Sequence, residues 1–216
     1  MPQERIERAV IKAEVRAAGE GQEQRVVGLG VVYDRWEELW PGYREKISRG
    51  AVEFAPVVKS YFNHDPNMVL ATTESTPPLT VRETERGIEY EVPIPPTSYG
   101  RDLTVNLERG NVKGSSFTFV VPKGGDRMWE DENGVVHREI NKLMLYEIGP
   151  VTDPAFISTT ASMRSSREAH IDEWRSAKQA GSEPEPAEPE KSGPDTEART
   201  TMMCRLKRHY ELKATL

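Results

Sequence analysis

The sequence predicts an α+β domain, a small β-barrel with flanking helices, followed by a polar tail. Three observations lead to this fold class: many short β-rich runs, one or two helical segments, and an abrupt change of composition near residue 167. The chain has 216 residues, of which 36% are hydrophobic and 30% charged. This balance fits a domain of roughly 150 residues with polar extensions better than one core spanning the whole length.

The first β-rich runs, residues 6–15 and 25–33, are separated by AAGEGQE and therefore predict a hairpin. Gly28 and Gly30 inside the second run predict a bulge or a tight bend, as in barrel-like sheets. Turn segments such as NHDPN, TPP and ERG then separate four further short strands, predicted at residues 57–62, 68–72, 79–83 and 87–93.

The clearest internal helix is predicted over residues 98–109, because Ser98 can cap it and Leu103 and Leu107 lie one turn apart. Residues 112–121 follow as a strongly β run, VKGSSFTFVV before its proline, and residues 138–148 form another. Neither an internal repeat nor a glycine-rich phosphate loop is found in the sequence.

The composition divides the chain into a domain at residues 1–167, an acidic linker at 168–200 and a basic amphipathic segment at 201–216. The stretch GSEPEPAEPEKSGPDTEART has four prolines and six acidic residues, a composition typical of a disordered linker. The last segment, TMMCRLKRHYELKATL, has four Lys or Arg residues against one Glu, and we expect it to become helical on a partner.

The composition also excludes several classes of protein. The formal net charge of −6 disfavours a nucleic-acid-binding protein, and no apolar run reaches the length of a membrane span. The first residues, MPQER, lack the layout of a secretory signal, and Cys204 is the only cysteine. We therefore expect a protein of a reducing compartment, with no disulfide, no cysteine-rich zinc site and no cofactor.

His64 is the best-placed of the four histidines, because YFNHDPN sets it directly after an apolar strand and before a turn. Such a side chain can point from the end of a strand into a cleft, although it can also simply hydrogen-bond the turn. Ser115 and Ser116 lie inside an apolar strand, where alternation puts Ser116 and Phe117 on opposite faces. A serine becomes a nucleophile only beside a base, and His64 is the available candidate.

Glu147 interrupts the apolar run LYEIGPV and would need a polar partner if it were buried. Orienting a histidine is one such partnership, and Asp153 is an alternative residue for that role, although Asp-Pro also forms simple turns. The residues alone thus leave both a serine hydrolase and an ordinary structural use of these side chains open.

Five segments, taken in order, resemble the prohead maturation protease family of tailed bacteriophages. They extend over about residues 20–166 and read RVVGLGVVYDRW, YREKISRGAVEFA, YFNHDPNMVLATT, SYGRDLTVNLERGNVKGSSFTF and YEIGPVTDPAFISTTASMR. Any one segment is weak, but their order and spacing in one chain are specific.

This resemblance implies a serine protease fold of the herpesvirus assemblin type. It further implies His64 as general base, Ser116 as nucleophile because it precedes the aromatic Phe117, and Glu147 as third member. Ser115 is the alternative nucleophile, and related viral proteases use a histidine as third member. The expected substrates are the scaffold or extensions of the major capsid protein, and the chain itself, inside the procapsid in the host cytoplasm.

Two rival functions remain from the sequence. One is a non-catalytic scaffolding or assembly protein that keeps the protease fold. The other is a metal-dependent hydrolase that uses His64, Asp65 and His137. Residues 110–114 are the segment from which we expect the backbone donors of an oxyanion hole.

Overall fold

The computed structural model describes residues 6–11, 15–18, 24–152 and 161–180. Its strands, in chain order, are β1 (Ile6–Ile11), β2 (Val15–Ala18), β3 (Arg25–Val32), β4 (Glu37–Trp40), β5 (Tyr43–Ile47), β6 (Val52–Tyr61), β7 (Val69–Thr72), β8 (Thr80–Thr84), β9 (Gly87–Pro93), β10 (Gly114–Val120), β11 (Asp126–Glu130), β12 (Val136–Ile140) and β13 (Leu143–Val151). The helices are α1 (Ser98–Glu108) and α2 (Ala161–Gln179). The α+β class predicted from the sequence is therefore confirmed.

The described strands form three open sheets. The first has the order β1-β10-β13-β6-β7, the second β2-β3-β9-β8 and the third β11-β12-β5-β4. No sheet of the described part of the chain closes on itself, so the predicted herpesvirus-type barrel is not confirmed. The reason is that the second sheet lies against the face of the first instead of continuing it along an edge.

The first two sheets share one apolar core. Ile88 and Tyr90 from the second sheet pack in it with Phe117, Leu145 and Ile148 from the first. Gly30 shows how closely the sheets approach, because a Cβ atom at this position would lie 2.1 Å from the Ile148 side chain. The predicted bulge is present here, since the register between β3 and β9 shifts between Leu29 and Val31.

The N-cap of helix α1 lies one residue earlier than the sequence predicts. Thr97 is the N-cap, and its hydroxyl accepts a hydrogen bond of 3.2 Å from the Gly100 amide, so Ser98 is the first helical residue. Leu103 and Leu107 are both buried in the core, as their spacing predicts.

The sequence reading of the remaining elements was less complete. Residues 138–148 are not one strand: the amides of Asn141 and Lys142 both donate to the Gly125 carbonyl and so separate β12 from β13. Charge-rich β4, β5 and β11 were not predicted. Helix α2 runs across residue 167 and includes residues 168–179, which the composition assigns to the linker.

The predicted tail from residue 181 onward lies outside the described residues. Neither helix in the described part of the chain is long and apolar enough to cross a membrane.

Candidate active site

Ser116 lies in the middle of β10, a strand whose residues are all buried. Strand β10 has β1 on one side and β13 on the other, both antiparallel to it. Because side chains alternate along a strand, Ser116 and Thr118 share one face, whereas Ser115, Phe117 and Phe119 share the other. The Phe117 and Phe119 rings stack at 5.1 Å, which anchors the second face in the core.

His64 comes from the turn that follows β6. Asn63 and His64 both adopt left-handed backbone conformations, with φ values of 55° and 59°. Asn63 ties this turn to the end of β13, because its amide donates to the Pro150 carbonyl and its side chain accepts from the Thr152 amide. The strained turn is thereby held, and it directs the imidazole toward β10.

A glycine in β13 allows this close approach. Gly149 is paired with Ser116, and a Cβ atom on Gly149 would lie 2.5 Å from the Tyr61 carbonyl oxygen. Any larger residue would push the end of β6, and with it His64, away from β10. The Gly-Pro sequence after Glu147 thus contributes to the site without contributing a polar side chain.

Glu147 reaches the same face of the sheet through a bulge in β13. The register with β6 shifts between Leu145 and Glu147, and Tyr146 is 41% exposed. Leu145 and Ile148 consequently both point into the core although they are three residues apart. In a regular strand Glu147 would share the face of Leu145; the bulge places it opposite Thr118 and beside His64.

These three side chains form one chain of hydrogen bonds. The distance from His64 Nδ1 to Glu147 Oε1 is 2.8 Å, and that from His64 Nε2 to Ser116 Oγ is 2.5 Å. A carboxylate only accepts hydrogen bonds, so His64 Nδ1 carries the proton. His64 Nε2 is then free to accept the proton of the Ser116 hydroxyl, which is the arrangement needed for general base catalysis.

Thr118 completes the set, and the sequence reasoning missed its role. Its hydroxyl donates to Glu147 Oε2 at 2.8 Å, so both oxygens of the carboxylate have partners. The Glu147 side chain is only 10% exposed, and such a buried carboxylate requires these bonds. Alternation could have identified Thr118, since it lies two residues beyond Ser116 on the same face.

Ser115 has a different environment. Its hydroxyl makes a 2.9 Å hydrogen bond with the Tyr90 hydroxyl inside the core. Burial raises the pKa of Tyr90, and the hydrogen bond from Ser115 offsets only part of that effect. The geometry therefore brings Ser116, and not Ser115, into contact with His64.

The other residues considered from the sequence do not join this cluster. Asp153 lies outside the described residues. Asp65 accepts hydrogen bonds from Asn67 within the turn, and His137 bonds Asp131 at 3.1 Å and stacks on Trp129. No group of three or more His, Cys, Asp or Glu side chains in the described ranges is arranged to hold a metal ion, and His64, Asp65 and His137 form no such group.

The segment expected to supply oxyanion donors is largely committed elsewhere. The amides of Gly110, Asn111 and Val112 donate to carbonyls at the end of α1, namely those of Leu107 and Asn106. These three amides therefore do not point toward a bound substrate, and that expectation is wrong for them.

Comparison with known proteins agrees with the geometry. The family model described as caudovirus prohead serine protease matches residues 11–173, which is more than half of the chain. The chain thus belongs to the prohead serine protease family of tailed phages, whose members act as serine proteases in procapsid maturation. Neither the curated proteins nor the solved structures that were compared contain a match.

Proposed function

We propose that this protease cleaves the scaffold segment or terminal extensions of the capsid protein, with Ser116 as nucleophile, His64 as general base and Glu147 as the orienting carboxylate. The observation that supports these roles is the continuous chain of hydrogen bonds from Ser116 Oγ through the imidazole to Glu147. All three side chains are at most one-tenth exposed, so the interactions operate in a low-dielectric environment.

The mechanism is acyl transfer in two stages. His64 Nε2 takes the hydroxyl proton as Ser116 Oγ attacks a peptide carbonyl carbon, and it then gives that proton to the departing amine. Water attacks the resulting acyl-enzyme with His64 again acting as base. Glu147 holds the imidazole in one orientation and offsets the positive charge that develops on it, while Thr118 holds Glu147.

The chain itself is a second proposed substrate. The sequence predicts self-cleavage between about residues 167 and 199, and since α2 extends to Gln179, we expect it within residues 181–199, where the acidic, proline-rich composition favours nicking. The basic segment after residue 200 would bring the protease to the assembling shell in the host cytoplasm, and the linker would raise its local concentration there. Intact-mass analysis of mature capsids that finds only the full-length chain would contradict self-cleavage.

The test is co-expression with the cognate capsid protein, followed by intact-mass analysis of that protein. Wild type is compared with Ser116→Ala, and Ser115→Ala is the matched control from the other face of β10. Loss of a triad serine lowers turnover by roughly 10^4–10^6. We expect processing to stop with Ser116→Ala and to continue with Ser115→Ala.

Other outcomes lead to different conclusions. Loss of processing with Ser115→Ala alone would move the nucleophile by one residue and keep the enzyme class. Equal processing by both variants would mean that another residue is the nucleophile. An uncut capsid protein with every variant, including wild type, would favour the non-catalytic scaffolding role.

A further inference from the structure

Strand β1 covers the nucleophile. It pairs antiparallel with β10, with Val10 opposite Ser116 and Ala9 opposite Phe117. The Ser116 side chain has no exposed surface, and its Oγ lies 3.0 Å from the Ala9 carbonyl oxygen, within hydrogen-bond distance. A peptide group of the chain itself therefore lies where the serine would meet the carbonyl of a substrate.

This contact competes with catalysis in two ways. The Ser116 hydroxyl has one proton, which is either donated to the Ala9 carbonyl or transferred toward His64, but not both. The edge of β10 is also occupied, so an incoming extended peptide cannot form main-chain hydrogen bonds with it. Both effects end when β1 leaves, because the triad contacts of His64 do not involve β1.

A buried group of charges fastens β1 two residues before Ala9. Glu7 is 5% exposed, and its two carboxylate oxygens accept hydrogen bonds of 2.6 and 2.8 Å from Arg138 of β12. Arg167 of α2 donates to the Arg8 carbonyl oxygen at 3.0 Å. We call Glu7, Glu45, Asp126, Arg138 and Arg167 the ionic cluster. It attaches β1 to two elements that are far away in the sequence.

Glu7 can leave the ionic cluster because both arginines have other carboxylate partners. It contains three carboxylates and two guanidinium groups. Without Glu7, Arg138 keeps Asp126 at 2.6 Å and Arg167 keeps Glu45 at 2.8 Å. Each buried guanidinium would thus retain a carboxylate, and no unpaired buried charge would result from the departure of β1.

We propose that β1 is an inhibitory strand: it occupies the edge of β10 on which an extended substrate peptide docks, and Glu7 holds it there until it is displaced. The proposal rests on the proposed function, since it requires Ser116 to be the nucleophile. Its substrate is an unpaired, extended peptide segment, which adds to β10 as a strand in place of β1. Folded domains without such a segment are not substrates.

The first test compares wild type with Glu7→Lys and, as control, Glu53→Lys in the full-length protein. Glu53 is on β6 and pairs only with the exposed Lys142 in the described contacts. The measurements are the rate of Ser116 labelling by a fluorophosphonate and the hydrolysis of an unfolded capsid-protein substrate. Lysine at position 7 would repel Arg138 and Arg167, so we expect both rates to rise about tenfold or more, as a minor open state becomes dominant. The control should match wild type.

A reversible lock provides the second test, which does not depend on the folding of Glu7→Lys. Ile6 and Val120 are opposed in register, so Ile6→Cys with Val120→Cys, in a Cys204→Ser background, would join β1 to β10 on oxidation. Oxidation should lower both rates about tenfold or more, and reduction should restore them. Equal rates in both redox states, or failure of the two thiols to join, would overturn the proposal.

The two proposals fail in different ways. If Glu7→Lys folds and both of its rates equal those of a wild type that cleaves, β1 does not inhibit and the protease function stands. Suppose instead that Ser116→Ala hydrolyses the substrate at the same rate as wild type, Glu7→Lys and the reduced cysteine pair. Then Ser116 is not the nucleophile. Both proposals then fall together.

Discussion

The Ser116 site and the ionic cluster are two buried polar networks that meet along β1. The first contains one carboxylate, one imidazole and two hydroxyls, and each hydrogen bond in it can shift as a proton moves. The second contains full charges at fixed positions, with Arg138 only 1% exposed among Glu7, Glu45 and Asp126. Burial of charge alone therefore does not indicate catalysis, because only in the Ser116 site does an imidazole nitrogen face a hydroxyl that can give up its proton.

In Glu45, Asp126 and Arg138 the attraction between opposite charges outweighs the effect of burial and favours the charged state. Burial by itself would raise the pKa of Glu45, but Arg167 and Arg138 outweigh that effect and lower it to about 2. The pKa of Asp126 is likewise about 2, because His170 and Arg138 outweigh its burial. The neighbouring carboxylates hold the pKa of Arg138 above its ordinary value despite burial. A cluster with such values keeps its charges at neutral pH and serves for attachment.

The largest expected effect is a loss of activity when the Ser116 site is altered. His64→Ala should lower the hydrolysis rate by roughly 10^4-fold or more, because it removes the proposed base for Ser116. His137→Ala is the matched control: it should keep activity and lose stability, since His137 packs on Trp129 and Trp36. Equal loss of activity in both variants would contradict a specific role for His64.

The next largest expected effect is a loss of stability when the ionic cluster is altered. Arg138→Met leaves the buried Glu7 and Glu45 with Arg167 alone and Asp126 with His170 alone, so the free energy of unfolding should fall by about 3–5 kcal/mol. Urea denaturation measures this change. Arg82→Met, which breaks an exposed pair with Glu89, should cost at most about 1 kcal/mol. A loss for Arg138→Met no larger than that of the control would show that the cluster does not stabilise the fold.

Thr118→Val tests how the Ser116 site depends on the hydrogen bond from Thr118 to Glu147. The variant keeps the shape of the side chain but removes the donor to Glu147 Oε2. We expect kcat to fall about tenfold with KM unchanged, as for the loss of one hydrogen bond to a charged group. Thr118→Ser should restore most of the rate. A change confined to KM would mean that Thr118 acts on substrate binding instead.

Acid should weaken the ionic cluster gradually. Glu45 and Asp126 have folded-state pKa values of about 2, below their unfolded values near 4, so their contribution is complete above about pH 5 and is lost as the pH falls toward 2. The free energy of unfolding should fall by about 1 kcal/mol per pH unit for each of these carboxylates in that range. Urea denaturation of Glu45→Gln over the same range should show a shallower slope, and an unchanged slope would exclude Glu45 as a source.

Much of the Ser116 site could be predicted from the sequence. His64 lies in a recognisable turn, Ser116 precedes an aromatic residue in a β-rich run, and Glu147 interrupts an apolar strand. These local inconsistencies, polar residues where the pattern demands apolar ones, are visible in a single sequence. Their contact with one another also requires the close approach of the end of β6 to Gly149. The sequence shows this glycine but not the strand that lies against it.

The ionic cluster was not predictable in the same way. Its members lie in charge-rich segments that resemble solvated surface, and Glu7 and Arg138 are separated by 131 residues. The bulge that turns Glu147 away from the core and the pairing of β1 with β10 are also tertiary outcomes. The family, the fold class and the candidate catalytic side chains could be identified from the sequence, because these depend on local pattern. Which charges are buried together, and the covering of Ser116 by β1, are visible only in the folded chain, because burial and strand pairing depend on which distant segments meet.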